Sequence, residues 1–263
     1  MDLHLKGAAA LITGGSKGIG RACALAMARE GCTLGLVARD ETQLRTTADE
    51  VAAVGGEVHA IVADLSSLAG VRQMVAAASH LLGRIDVLVN NAGGIRAGAF
   101  LDIPDEQWIE DWNVKLLGYI RVAREVFPLM IANGGGRVVN VIGAGARQVS
   151  ASYLPGGAAN AALVNFTKGL SELGARHNVF VKAASPGAVQ TERWERRIEL
   201  EALAEHRDAK ELRTERIAEY PLRRIVTPDE VADLVCFLSS PRSDMLNGGT
   251  ITIDGGWTRG VYP

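Results

Sequence analysis

The sequence predicts an α/β chain folded as a single, doubly wound domain with a seven-stranded parallel sheet. Short apolar or β-branched runs alternate with helical patterns along all 263 residues, the rhythm of strands joined by helical crossovers. Several runs are apolar almost throughout, as expected for strands covered on both faces. No linker, repeat or break in composition divides the chain, and its length suits one large core.

Taken in order, the first strand is expected over residues 8–13, where Ala8-Ala9-Ala10-Leu11-Ile12-Thr13 runs into glycines. A helix over 19–30 follows, then a strand over 33–38. The next helix, over 41–54, opens on Asp40 and Gln43, the pair of a capping box. Strands over 57–62 and 87–90 flank a helix over 68–82, and a long helical pattern covers 105–132. Val138-Val139-Asn140-Val141-Ile142 carries a strand over 137–142. A helix over 155–176 begins with Pro155 in its first turn. Strands over 179–184 and 250–253 enclose a last helix over 228–238. Residues 191–224 break the rhythm and are dense in Glu and Arg. Their composition reads as a solvated helical pair held by i,i+4 charge pairs. Their place just after a strand end reads as a substrate lid, and place favours the lid.

Apolar residues make up 48% of the chain and charged residues 22%, ordinary for a soluble globular protein. A formal net charge of −2 gives no reason to expect a nucleic-acid or membrane partner. No apolar run approaches the roughly 18 residues of a spanning helix. The start, Met1-Asp2-Leu3-His4-Leu5-Lys6, lacks the apolar core of a secretory signal. Cys23, Cys32 and Cys236 are scattered among apolar residues and read as buried thiols, which fits a reducing, cytoplasmic location. The five histidines show no ligand spacing, so no metal is expected.

Between the first strand and the first helix stands Thr13-Gly14-Gly15-Ser16-Lys17-Gly18-Ile19-Gly20. Glycines at 14, 18 and 20 permit a tight turn, close backbone approach to a pyrophosphate, and close helix–strand packing. The helix start adds free N–H groups and a positive dipole end. This is a Rossmann-type signature, with Gly14, Ser16, Lys17, Gly18, Ile19 and Gly20 as candidate cofactor-binding residues. The second strand ends in Ala38-Arg39-Asp40. A site for NAD would place a carboxylate at that strand end for the ribose 2′-hydroxyl, and Ala38 supplies none. Arg39 and Lys17 together suit a 2′-phosphate, while Asp40 is occupied as a cap. The expected cofactor is NADP(H).

With these motifs in hand, the chain resembles the short-chain dehydrogenase/reductase family along nearly its whole length, and within it the 3-oxoacyl-carrier-protein reductases. The motifs are Thr13–Gly20, Asp64-Leu65, Asn90-Asn91-Ala92-Gly93, Asn113, Pro186-Gly187 with Thr191, and Asp254-Gly255-Gly256. The resemblance implies Asp64 and Leu65 near the adenine and Asn90, Ala92 and Gly93 beside the ribose. It places Pro186, Gly187, Val189 and Thr191 against the nicotinamide carboxamide. It also implies a small-molecule substrate and a homo-oligomer, a tetramer or dimer, with the long helices and the tail from Trp257 to Tyr262 as contacts.

Members of that family usually carry four catalytic residues: an asparagine, a serine, a tyrosine that donates the proton and a lysine that supports it. Asn113 matches the first. Gly143 stands where the serine is expected, Gly156 where the tyrosine is, and Asn160 where the lysine is. A neutral Asn160 can still bond ribose hydroxyls, but it cannot lower a phenol's pKa by charge. Tyr153 is the candidate substitute donor, and its spacing to Asn160 resembles that of the tyrosine and lysine of enoyl-carrier-protein reductases. Ser150, Ser152 and Arg147 share its loop as further donors. The candidate catalytic set is therefore Asn113, Tyr153 and Asn160. The favoured activity is NADP(H)-dependent oxidoreduction of a carbonyl or activated double bond. The alternatives are a non-redox hydrolase, hydratase or isomerase reusing the pocket, and a catalytically silent nucleotide-binding subunit.

Overall fold

A computed structural model describes residues 1–259, so the expected tail contact lies outside the described residues beyond that point. The strands are β1 (Ala9–Thr13), β2 (Thr33–Ala38), β3 (Glu57–Val62), β4 (Val87–Asn90), β5 (Gly136–Val141), β6 (Val179–Pro186) and β7 (Thr250–Ile253). Between them run α1 (Gly18–Arg29), α2 (Glu41–Ala53), α3 (Leu68–Leu82), α4 (Asp105–Ala132), α5 (Leu154–Ala175), α6 (Glu192–Ala204), α7 (Ala209–Ala218) and α8 (Pro228–Ser239). All strand pairs are parallel, in the order β3-β2-β1-β4-β5-β6-β7. The strand order therefore reverses between β1 and β4, where such sheets open a crevice beyond the strands' carboxyl ends.

Burial explains which runs became which strands. β1 and β4 are buried at every residue. Edge strand β3 is mostly exposed or half-buried, and edge strand β7 half-buried throughout. On one face, Cys23 and Met27 of α1 pack with Leu44 of α2 and Val231 and Val235 of α8. On the other, Val71 and Met74 of α3 pack with Val122, Val126 and Met130 of α4. The three cysteines are free thiols in the interior, and burial raises those of Cys23 and Cys32 to about 12.

Most boundaries fall within a residue of expectation. β6 runs two residues further, to Pro186, because Ser185 and Pro186 still face Thr252 and Ile253 of β7. Of the capping box expected on α2, the Asp40 half forms, accepting from the Gln43 N–H at 3.0 Å. A complete box caps α8, where Thr227 and Glu230 satisfy each other's backbone N–H groups. Residues 191–224 form the pair α6–α7, which has its own small core of Trp194, Ile198, Leu212 and Tyr220. Ion pairs of Arg216 with Glu201 and Glu219, and of Arg213 with Glu195, lace it. Trp257 stacks on Tyr220 with ring centroids 5.2 Å apart. Among the described residues no helix is long and apolar enough to cross a membrane.

Candidate active site

The turn after β1 is built so that only glycine fits. Gly14 has φ +68°, and a Cβ there would stand 2.8 Å from Ala92 Cα; Gly18 has φ +54°. A Cβ on Gly20 would overlap the Gly14 carbonyl oxygen and stand 2.6 Å from Asn91 Nδ2. No side chain caps α1, whose N-cap is Lys17. Its first N–H groups, which have no partner within the helix, are thus left without a side-chain partner beside a positive dipole end. This cradle fits a dinucleotide pyrophosphate. Lys17 Nζ lies 3.9 Å from Glu192 Oε2, both exposed, a pair worth little in water.

Thr13 pins the cradle to β4. Its hydroxyl accepts from the N–H groups of Asn91 (3.0 Å) and Ala92 (3.1 Å), and Asn91 Nδ2 donates to the carbonyls of Thr13 (3.2 Å) and Gly14 (3.1 Å). Asn90 turns the other way. Its amide donates to Asn140 Oδ1 at 3.0 Å, and Asn140 passes the chain to Thr167 on α5 at 2.9 Å. The Asn90 side chain therefore ties β4 to β5 and, through Asn140, to α5 inside the sheet, while its Oδ1 has no partner. Gly93, with φ +110°, lies against the backbone of Lys115.

At the ends of β2 and β3, Arg39 is exposed and shares a cavity of about 690 Å³ with Asp64, Ser67, Gly70 and Gln73. The Asp64 carboxylate is held below its ordinary pKa, first by the Ser66 N–H and hydroxyl that bond it, then by Arg39. Leu65 is buried against α3 and α4. On the opposite wall, the Gly187 N–H donates to Ile253 O at 3.0 Å. Val189 pairs with Val226, and Thr191, which caps α6, packs toward Gly18.

Tyr153 and Asn160 both approach the loop that follows β5. Gly143 and Gly145 would each place a Cβ 3.3 Å from Asn160 Nδ2, and Gly145 also faces the Tyr153 ring at 3.4 Å. A Cβ on Gly156 would overlap Cζ and Cε1 of Tyr153 and stand 2.6 Å from Cε2. The ring thus lies in the space that a side chain at 156 would enter. Trp112 fixes this corner by donating its indole N–H to Pro155 O at 3.0 Å. Asn160 is 3% exposed, and its Oδ1 has no partner. Arg147 reaches Thr252 Oγ1 at 3.4 Å, and Ser150 pairs with Ser152.

Asn113 is not brought to this group. Its side-chain oxygen accepts from Arg121 Nη2 at 3.2 Å, and Arg121 also holds Ser66 O. The residue that α4 turns into the site is Lys115, 8% exposed, whose Nζ donates to Val141 O at 2.8 Å and Tyr119 Oη at 3.0 Å. Burial lowers its pKa to about 7, helped by the Arg193 guanidinium. Sequence reasoning missed Lys115, yet a signal was there. Lys115, Tyr119, Val122 and Val126 share the buried stripe of α4, while position 113 falls beside it.

Comparison with known proteins agrees with this fold. A family model described as enoyl-(acyl carrier protein) reductase matches residues 14–258. Oxidoreductase UcpA of Salmonella typhimurium is 36% identical over 258 residues, 97% of this chain and 95% of that one. The crystal structure of L-sorbose reductase from Gluconobacter frateurii with NADPH and L-sorbose superposes with TM-score 0.94 at 30% identity, covering 99% of this chain and 100% of that one. A variant of actinorhodin polyketide ketoreductase with NADPH gives TM-score 0.93 at 32% identity, over 96% and 97% of the two chains. By its fold, its glycine cradle and these relatives, the chain belongs to the short-chain dehydrogenase/reductase family.

Proposed function

We propose that this protein is an NADP(H)-dependent oxidoreductase that reduces a carbonyl or an activated double bond, with Tyr153 as its proton donor. The observation that carries the reading is the Tyr153 ring lying in the space a side chain at Gly156 would occupy. A phenol approaching from the preceding loop thereby takes the room the glycine leaves. NADP(H) is favoured over NAD(H) because β2 ends in Ala38 and exposed Arg39 rather than a carboxylate, and NADPH is bound in the two structures just described. When bound, the nicotinamide supplies the hydride.

The chain's own residues do the rest. Gly14, Ser16, Gly18, Ile19 and Gly20 would hold the pyrophosphate, and Lys17 and Arg39 the 2′-phosphate. Asp64 and Leu65 would border the adenine, Ala92 and Gly93 the ribose, and Pro186 to Thr191 the carboxamide. Tyr153 gives its proton to the oxygen on which charge develops. Asn160 would hold a ribose hydroxyl through its side-chain amide. Residues 191–224 act as the lid, fastened where Arg193 Nη2 donates to Ile95 O at 2.8 Å. The homo-oligomer, a tetramer or dimer, that the resemblance implies is in keeping with exposed Ile109, Leu117 and Leu173 on α4 and α5.

The test is NADPH oxidation, followed by nicotinamide absorbance, with acetoacetyl-N-acetylcysteamine, crotonyl-N-acetylcysteamine and L-sorbose. The wild type turns over at least one of them. Tyr153→Phe loses about 10²-fold in kcat, the size of a positioned general acid, while its Kd for NADPH stays within about threefold. Full activity in the Phe variant rejects Tyr153 as donor, and no oxidation with any probe rejects the oxidoreductase reading.

A further inference from the structure

Lys115 is a buried ammonium with no carboxylate beside it. Among the described residues its two hydrogen bonds go to neutral oxygens, Val141 O and Tyr119 Oη, and no ion pair includes it. A charge buried without a counter-charge costs stability, and such a residue persists where it does chemistry. Its surroundings point the same way. Val141 is the last residue of β5, two before Gly143, and a Cβ on Gly143 would stand 3.3 Å from Asn160 Nδ2. Lys115 has three N–H donors and two partners; Asn160 Oδ1 is a buried acceptor with none. An unmet donor on α4 and an unmet acceptor on α5 thus both approach the end of β5, and the Tyr153 ring lies against Gly145 and Gly156 of the same corner. The charged or titratable groups facing Lys115 are Tyr119 on its own helix, Arg193 of α6 and, through Tyr119, Tyr153.

We infer that Lys115 and Asn160 have exchanged stations: the cation that supports proton donation enters this site from α4 at Lys115, and α5 contributes the amide at Asn160. The inference rests on Tyr153 as donor and names Lys115 as the positioning residue behind it. As Tyr153 gives its proton to the substrate oxygen, the Tyr153 O–H bond breaks and a phenolate is left. The Lys115 ammonium keeps its own protons and stabilises that phenolate by charge, and the phenolate then regains a proton from solvent.

Three readouts test it. First, Lys115→Met lowers NADPH oxidation with the active probe by about 10²-fold or more and removes the fall in kcat that the wild type shows as pH rises through about 7. Second, the exchange variant Lys115→Asn/Asn160→Lys recovers to within about tenfold of wild type, because a cation from either helix serves. A merely structural lysine would not be rescued from another helix. Third, Lys115→Met raises Tm. The folded chain holds Lys115 near 7 against 10.5 for a free lysine, so the cost of the buried ammonium is complete below 7 and fades as pH approaches 10.5. The gain in Tm is therefore largest near and below pH 7 and shrinks above it. A Met variant that keeps its activity overturns the inference. So does one that melts lower at pH 7, or an exchange variant no better than Lys115→Asn alone. If the wild type oxidises no NADPH with any probe, the proposed function fails. Lys115 is then judged on the Tm shift and on titration of its amine by NMR in lysine-labelled protein, where an ordinary lysine pKa overturns the assignment.

Discussion

Gly20→Ala abolishes useful nucleotide binding: the expected loss of NADPH affinity is at least about 100-fold, or about 3 kcal/mol. The cause is a methyl group driven into backbone. A Cβ at position 20 would overlap the carbonyl oxygen of Gly14, which is backbone, and press Asn91 Nδ2 at 2.6 Å, a side-chain end held in place by its bonds to the Thr13 and Gly14 carbonyls. To relieve the clash, the turn must draw away from α1. That movement breaks the bonds from Asn91 Nδ2 to the carbonyls of Thr13 and Gly14 and turns the helix-start N–H groups away from the phosphates. Titration of NADPH fluorescence, with circular dichroism to show that the fold persists, checks it. An affinity within about threefold of wild type contradicts the assignment of the cradle.

The second large effect is at Gly156. Gly156→Ala asks a methyl group to share space with the Tyr153 ring, whose Cζ and Cε1 it would overlap. The ring has to leave, because the helix backbone at 156 is fixed by α5 and by the Trp112 bond to Pro155. Reduction should fall at least as far as in Tyr153→Phe, about 10²-fold. Tm should fall as well, since overpacking of this kind typically costs about 1–3 kcal/mol. The pair is informative together: Tyr153→Phe keeps the ring and loses the hydroxyl, whereas Gly156→Ala keeps the hydroxyl and moves it. Steady-state kinetics of both with one probe substrate separates position from chemistry, and a Gly156→Ala enzyme as active as wild type would show that Tyr153 has no role there.

The fold was legible because its strands carry their burial in their composition. Runs such as Leu11-Ile12 and Val87-Leu88-Val89 have no polar face, so only a sheet covered on both sides accommodates them, and α1 starts where glycine permits the backbone to turn. The cradle was legible for the same reason: its constraint is local, a matter of which backbone angles and close approaches each residue tolerates. The interior polar groups were not. Asn90 stands in a motif that resembles a ribose contact, yet its amide is used to join β4 to β5, a pairing set by the register Asn90 to Asn140. Asn113 is of the expected residue type, but it sits beside the inward stripe of α4 and bonds Arg121. Lys115 is on that stripe and was passed over because a lysine reads as a surface residue until the helix is turned. Which side of a helix faces a pocket depends on partners far along the chain, here Val141 and Gly93.

One measurement bears most directly on the whole account: parallel titrations of the wild type and Arg39→Ala with NADPH and with NADH. The account predicts that the wild type binds NADPH at least about tenfold more tightly than NADH, from a charge-assisted contact to the 2′-phosphate. It also predicts that Arg39→Ala removes most of that preference while leaving NADH affinity within about twofold. Failure of the wild type to bind either nucleotide, or tighter binding of NADH, would contradict it.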